Sequence, residues 1–292
     1  MTMHESGVEA GMSRRSMVAL GGGLAALAFT GAGESPAIGR TRLLWSDQPS
    51  AGALPAGFPH QDPALVREVV LKSHFDVDAV RELVTARPAL ARAAYDWAYG
   101  DWESALGAAS HMGRRDIAEV LMAHGARPDI FTFAMLGNLA AVKAAIEAHP
   151  GAGPGAGPGV QRTLGPHGIT LLAHARFGGD AAKDVVAYLE ELGDADIGYT
   201  NLPLDDAQKK ALMGRYRLEA GGEPFEVVET RDSGLGLKYG EDFPRNLRHQ
   251  GNLEFHPDGA PDVRFRFTVA DGRAASFEYR DGDITLTAKR EA

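Results

Sequence analysis

The chain has 292 residues, 44% hydrophobic and 24% charged, so it carries enough apolar surface to offset chain entropy and is not a disordered polypeptide. Its formal net charge of -9 argues against nucleic acid as a partner, because phosphate contacts need clustered Lys and Arg. The absence of cysteine excludes disulfides, thiolate zinc sites, iron–sulfur clusters and a cysteine nucleophile.

The N-terminal stretch comes first in chain order. Arg14 and Arg15 precede a mildly apolar run from Val18 to Phe29 that contains Gly21, Gly22 and Gly23. The run is too short to cross a bilayer core, which needs about 20 residues. Small residues follow at Thr30-Gly31-Ala32 and Ser35-Pro36-Ala37. This order resembles a twin-arginine export signal, with Met17 where that motif prefers Phe. The resemblance implies a signal peptide over 1–40, a periplasmic or secreted protein, and no membrane span after signal removal. Pro49, Pro55 and Pro59 mark 41–61 as a linker.

Residues 62–200 read as helix pairs. Ser104 to Gly113, followed by Arg114 to Ala126 with His124-Gly125-Ala126 at its end, resembles an ankyrin repeat. Thr170 to Gly179 and Val185 to Gly193 repeat the two halves, and Phe75 to Pro88 and Gly137 to Pro150 supply two further outer helices. The interval from Gly113 to Gly179 is twice the ankyrin period of about 33 residues. The resemblance implies about four degenerate repeats stacked as an α-solenoid, since one helix pair cannot bury its apolar stripe alone. Leu83, Val120, Leu121, Ile146, Val186 and Leu189 fall on the core face by period.

Two insertions interrupt this pattern. The Gly/Pro run over 151–159 reads as an expanded loop. The segment from Tyr95 to Glu103 carries four aromatics in a place where a finger loop is expected. In an ankyrin array, fingers and inner helices line a concave binding face. That register points His111 and Met112, and His174 and Phe177, into the concavity. Trp97, Tyr99 and Trp102 then serve as anchors for a protein partner, because aromatics dominate interface hot spots. The competing reading folds these aromatics back as core.

From Leu212 onward the apolar period changes to strict alternation, clearest in Val263 to Val269. Asp271-Gly272 and Asp281-Gly282 are hairpin signals. About eight strands are expected over 205–292, forming a small antiparallel β-barrel-like domain. The segments Leu212 to Tyr216, Leu235 to Tyr239 and Phe265 to Gly272 resemble the lipocalin-like domain appended to bacterial serine hydrolases of the penicillin-binding and β-lactamase type. There the domain is accessory, and the nucleophile motif of the hydrolases is missing here.

No zincin, Walker, nucleophile-elbow or EF-hand pattern occurs. His249, Glu254 and His256 could form a metal site from adjacent strands, but ligand-type residues this far apart are common by chance, so neither metal nor cofactor is expected. His167 reads as loop polarity and His174 as an inner-helix position. The expected protein is an α + β multidomain chain, an exported, non-enzymatic repeat protein that binds another protein through its concave face. The alternative is a small ligand or weak hydrolysis in a cleft between the two regions, using His111, His174 or the β-domain histidines. A third reading makes the β-domain a homo-oligomerisation module.

Overall fold

The computed structural model of the chain describes residues 57–151, 159–230, 234–240 and 243–292. The proposed signal peptide, with Arg14 and Arg15, and residues 41–56 of the linker lie outside the described residues. None of the described helices is long and apolar enough to cross a membrane.

Among the described residues, the first half holds eight short helices. These are α1 (Pro63–Lys72), α2 (Val77–Ala86), α3 (Ala105–His111), α4 (Arg115–Ala123), α5 (Ile130–Leu136), α6 (Leu139–Ala148), α7 (Leu171–Phe177) and α8 (Lys183–Leu192). Helices of 7–10 residues lie below the length at which a helix persists alone in water. Capping and packing must hold them. Asp62, Asp76, Ser104, Asp129, Asn138 and Thr170 each accept a hydrogen bond from a first-turn backbone N–H. Each such cap contributes about 1 kcal/mol. Leu83, Leu121, Ile146 and Leu189 are buried as their period requires, and Val120 and Val186 are half-buried.

No helical solenoid of ankyrin repeats is evident, and this corrects the expected fold class. An open repeat array leaves the inner helices with one solvent-facing side. Here every residue of α3 is buried, so that helix sits in a shared centre with no free face. The cover comes from the insertion between α2 and α3. It forms a two-stranded hairpin, β1 (Ala94–Asp96) and β2 (Trp102–Ser104), with Tyr95 paired to Glu103. A second cover is the segment from Val160 to Ile169, which contains two 3₁₀ turns. The period that matches ankyrin repeats carries no information about what lies over the helices, and the covering segments decide the architecture.

The second half begins with α9 (Asp206–Leu212), closed at its start by a capping box between Asp205 and Gln208. Eight antiparallel strands follow: β3 (Gly214–Leu218), β4 (Phe225–Glu229), β5 (Leu235–Tyr239), β6 (Arg245–Gly251), β7 (Glu254–Pro257), β8 (Arg264–Ala270), β9 (Arg273–Asp281) and β10 (Ile284–Arg290). They close into a barrel in the order β10-β3-β4-β5-β6-β7-β8-β9, which agrees with the expected small antiparallel barrel. Asp271 and Gly272 both have positive φ, the geometry of a primed hairpin turn between β8 and β9. Tyr216, Phe255, Phe265 and Phe277 are completely buried and touch one another or Phe267 edge-on or tilted. An eight-stranded barrel is just wide enough for side chains to fill it, and here they are rings. Tyr99, at the tip of the β1–β2 hairpin, reaches across and packs against Phe265 and Tyr279, with ring centroids 5.7 and 6.1 Å away.

Candidate metal centre

Four side chains meet at the hairpin, two from the contiguous β2–α3 stretch and two from elsewhere in the chain. His74 follows the C-cap of α1. Glu103 is the middle residue of β2. His111 ends α3. His167 lies in the turn Pro166–Gly168. One potential ligand atom from each lies within 4.8 Å of all the others. His74 and His111 are about 4% exposed at the side chain, His167 14% and Glu103 0%.

Local structure fixes each ring. The Nδ1 of His74 lies 3.1 Å from both the Val70 and Leu71 carbonyl oxygens. A carbonyl only accepts, so Nδ1 carries the hydrogen and Nε2 of the neutral ring carries a lone pair. That Nε2 points at Glu103 Oε2, 3.4 Å away, and has no hydrogen-bond partner. His111 Nε2 lies 2.7 Å from Glu103 Oε1. His167 donates its backbone N–H to Asp101 Oδ1 at 2.9 Å, and its Nδ1 lies 2.6 Å from Asp101 Oδ2. This leaves His167 Nε2 facing Glu103 Oε1 at 3.3 Å. Trp97 Nε1 donates to Glu103 Oε2 at 2.6 Å and steadies the carboxylate. His167 sits at φ 60°, in the left-handed region, a conformation costing about 1–3 kcal/mol that clusters at functional sites.

The electrostatics follow from burial and contact. Burial lowers the His74 pKa below its ordinary value and favours the neutral ring. Burial alone would raise Glu103, but the hydrogen bond with His111 and the ion-pair contact with His167 hold it well below the usual carboxylate range. Burial also opposes charge on His167, yet its hydrogen bond to Asp101 and the nearby Glu103 carboxylate raise it to about 9. Asp101 is lowered in turn: burial opposes this, and His167 and Arg245 outweigh it. A fifth histidine, His174 of α7, lies beside the cluster with its ring centroid 6.4 Å from that of His111. Its Nδ1 faces the Thr170 carbonyl at 2.9 Å, its buried Nε2 has no partner, and burial lowers its pKa to about 3.

The residues expected to bind a protein are dispersed. His111 is 3% exposed and His174 0%, so neither opens onto a concave face as the repeat register required. The buried centre takes both. Met112 and Phe177 are half-buried. Trp97 supports Glu103, Tyr99 enters the barrel, and only Trp102 of the three aromatics is exposed, at 64%. The β-domain set does not converge. His249 pairs with Phe255 and His256 with Arg248, so alternation sends the two histidines to opposite faces. Glu254 instead holds Arg266 at 3.0 Å.

Sequence reasoning passed over His74, Glu103 and His167 because no short motif links them. Metal motifs are recognised when ligands share one helix or one turn. Here only Glu103 and His111 are near in sequence, and long-range packing brings His74 and His167 to them. The one local signal was Asp101-x-Glu103 on either side of Trp102: two acids two residues apart where the hairpin enters β2, at 3% and 0% exposure.

In comparisons with known protein families, curated proteins and solved structures, the chain has no match to a family model, to a curated protein or to a solved structure.

Proposed function

We propose that this chain binds one divalent transition-metal ion through His74, Glu103, His111 and His167. One observation carries the reading: the buried His74 Nε2, which has no hydrogen-bond partner, is aimed at a carboxylate oxygen 3.4 Å away, inside a group of four donors of which three are buried. Two acceptors facing each other in a dry interior repel unless a cation or a proton lies between them. Donors bound to one zinc-sized ion at about 2.1 Å lie at most about 4.2 Å apart, so small side-chain movements close the 4.8 Å span.

Three imidazoles and one carboxylate without thiolate suit zinc and its first-row neighbours, not copper(I). The contact from Asp101 to His167 Nδ1 is the carboxylate–histidine support common around bound metals. Four protein donors, three of them buried and His167 14% exposed at the side chain, describe a closed, structural type of site. The ion joins the end of α1 and the 166–168 turn to the contiguous β2–α3 stretch, which carries Glu103 and His111. In its absence, a proton on His167 offsets the Glu103 charge.

Elemental analysis of the purified full chain, after incubation with Zn(II) and dialysis, tests the proposal. About one equivalent is expected for the wild type and under a tenth of that for His111→Ala. A wild-type chain that retains neither zinc nor cobalt rules out the metal reading.

A further inference from the structure

The geometry points to the barrel as a working part of the metal centre: Arg245 of β6, acting through Asp101 and Trp97, holds two of the four ligands in place, so ion binding and barrel docking reinforce each other. This rests on the metal reading above.

Arg245 is the barrel residue that reaches the supports of the cluster. Its Nη1 donates to Asp101 Oδ2, the same oxygen that lies 2.6 Å from His167 Nδ1. Its Nη2 donates to the Trp97 carbonyl at 2.8 Å. Trp97 in turn holds Glu103 through its indole N–H. One guanidinium therefore grips both ends of the 97–101 turn, and each end supports a different ligand. A rigid planar fork suits this two-point contact, which a lysine ammonium cannot reproduce.

Two further contacts, one from the barrel and one from the segment before α9, close around the same place. The β7–β8 turn approaches so near that a Cβ on Gly259 would lie 2.2 Å from Asp101 Cγ. The ring of Tyr199 lies against Gly168, where a Cβ would fall 2.1 Å from the ring, and stacks edge-on with His256 at 4.7 Å. The His167 turn is thus held between Asp101 and Tyr199. Without Arg245 the Asp101 carboxylate, 3% exposed, loses its permanent cation and can settle elsewhere. Loss of such outer support commonly weakens metal binding by about 10–100-fold. Arg245 is a positioning residue in this scheme; the ion itself contacts only the four ligands.

The test uses full-length chains titrated with Co(II) against a competing chelator, far below the melting temperature. Arg245→Met and Asp101→Asn are each expected to raise the Kd about 10–100-fold while the visible spectrum at saturation keeps its wild-type form, since all four ligands remain. Arg245→Lys falls between wild type and Arg245→Met. Arg290→Met is the control, because Arg290 is a barrel arginine that bonds Tyr216 and the Ala274 carbonyl instead of Asp101. Its Kd stays at the wild-type value. If Arg245→Met binds Co(II) as tightly as wild type, or is weakened no more than Arg290→Met, the inference is overturned. Should Arg245→Met not fold, Arg245→Lys and Asp101→Asn decide by the same comparison. A wild-type chain that takes up no Co(II) refutes the metal reading itself, a different outcome.

Discussion

Glu103→Gln separates a metal site from a set of hydrogen bonds of the same shape. The carboxylate has one oxygen occupied by the Trp97 N–H at 2.6 Å and the other by His111 at 2.7 Å. Trp97 can only donate, so the amide oxygen of Gln must stay on that side and its NH₂ must face His111 and His167. In a metal-free network the NH₂ donates to a neutral imidazole and restores the bond. The cost is the difference between a charge-assisted and a neutral bond, about 1–2 kcal/mol. In a metal centre the amide nitrogen has no lone pair to give, and the ion loses its one anionic ligand. A wild-type chain at an ion concentration 100 times its Kd gains about 2.7 kcal/mol from binding. For a chain of this size that is about 5–11 °C in melting temperature. Calorimetry with Zn(II) and with chelator should show that shift in the wild type and almost none in Glu103→Gln. Melting temperatures identical with zinc and with chelator in the wild type, or a full shift retained by the variant, refute the reasoning.

Two further substitutions probe the surroundings. Gly165→Ala places a Cβ 2.8 Å from His174 Cε1, tighter than ordinary packing, and should cost about 1–3 kcal/mol by denaturant unfolding; a neutral result means the turn has slack the structure does not contain. Trp102→Ala, at 64% exposure, should change stability by less than about 0.5 kcal/mol, whereas Trp97→Phe, which leaves Glu103 without its N–H donor, should cost about 1–3 kcal/mol and weaken Zn(II) binding. Equal effects at the two tryptophans would contradict the division of roles.

The barrel was the most legible part of the sequence. Strict alternation in Val263 to Val269 and the Asp-Gly pairs set strand register locally, and Leu235 to Tyr239 is β5 residue for residue. The helices of the first half were legible as elements because caps and period are also local. Their assembly was not. The match in period to ankyrin repeats missed that the aromatic insertion folds inward as β1–β2 and buries α3, a consequence of residues far apart in sequence finding one another.

What the sequence determined by itself is a two-part chain, short capped helices and then strands, because hydrophobic period, capping and turn chemistry act over a few residues. What only the tertiary structure decided is the centre. His74, Glu103 with His111, and His167 come from three separate stretches of chain, and their chemistry depends on mutual distance, burial and the direction of ring lone pairs. Those quantities exist only once the chain has closed around them, with Arg245 of the barrel bearing on Asp101 from the other side.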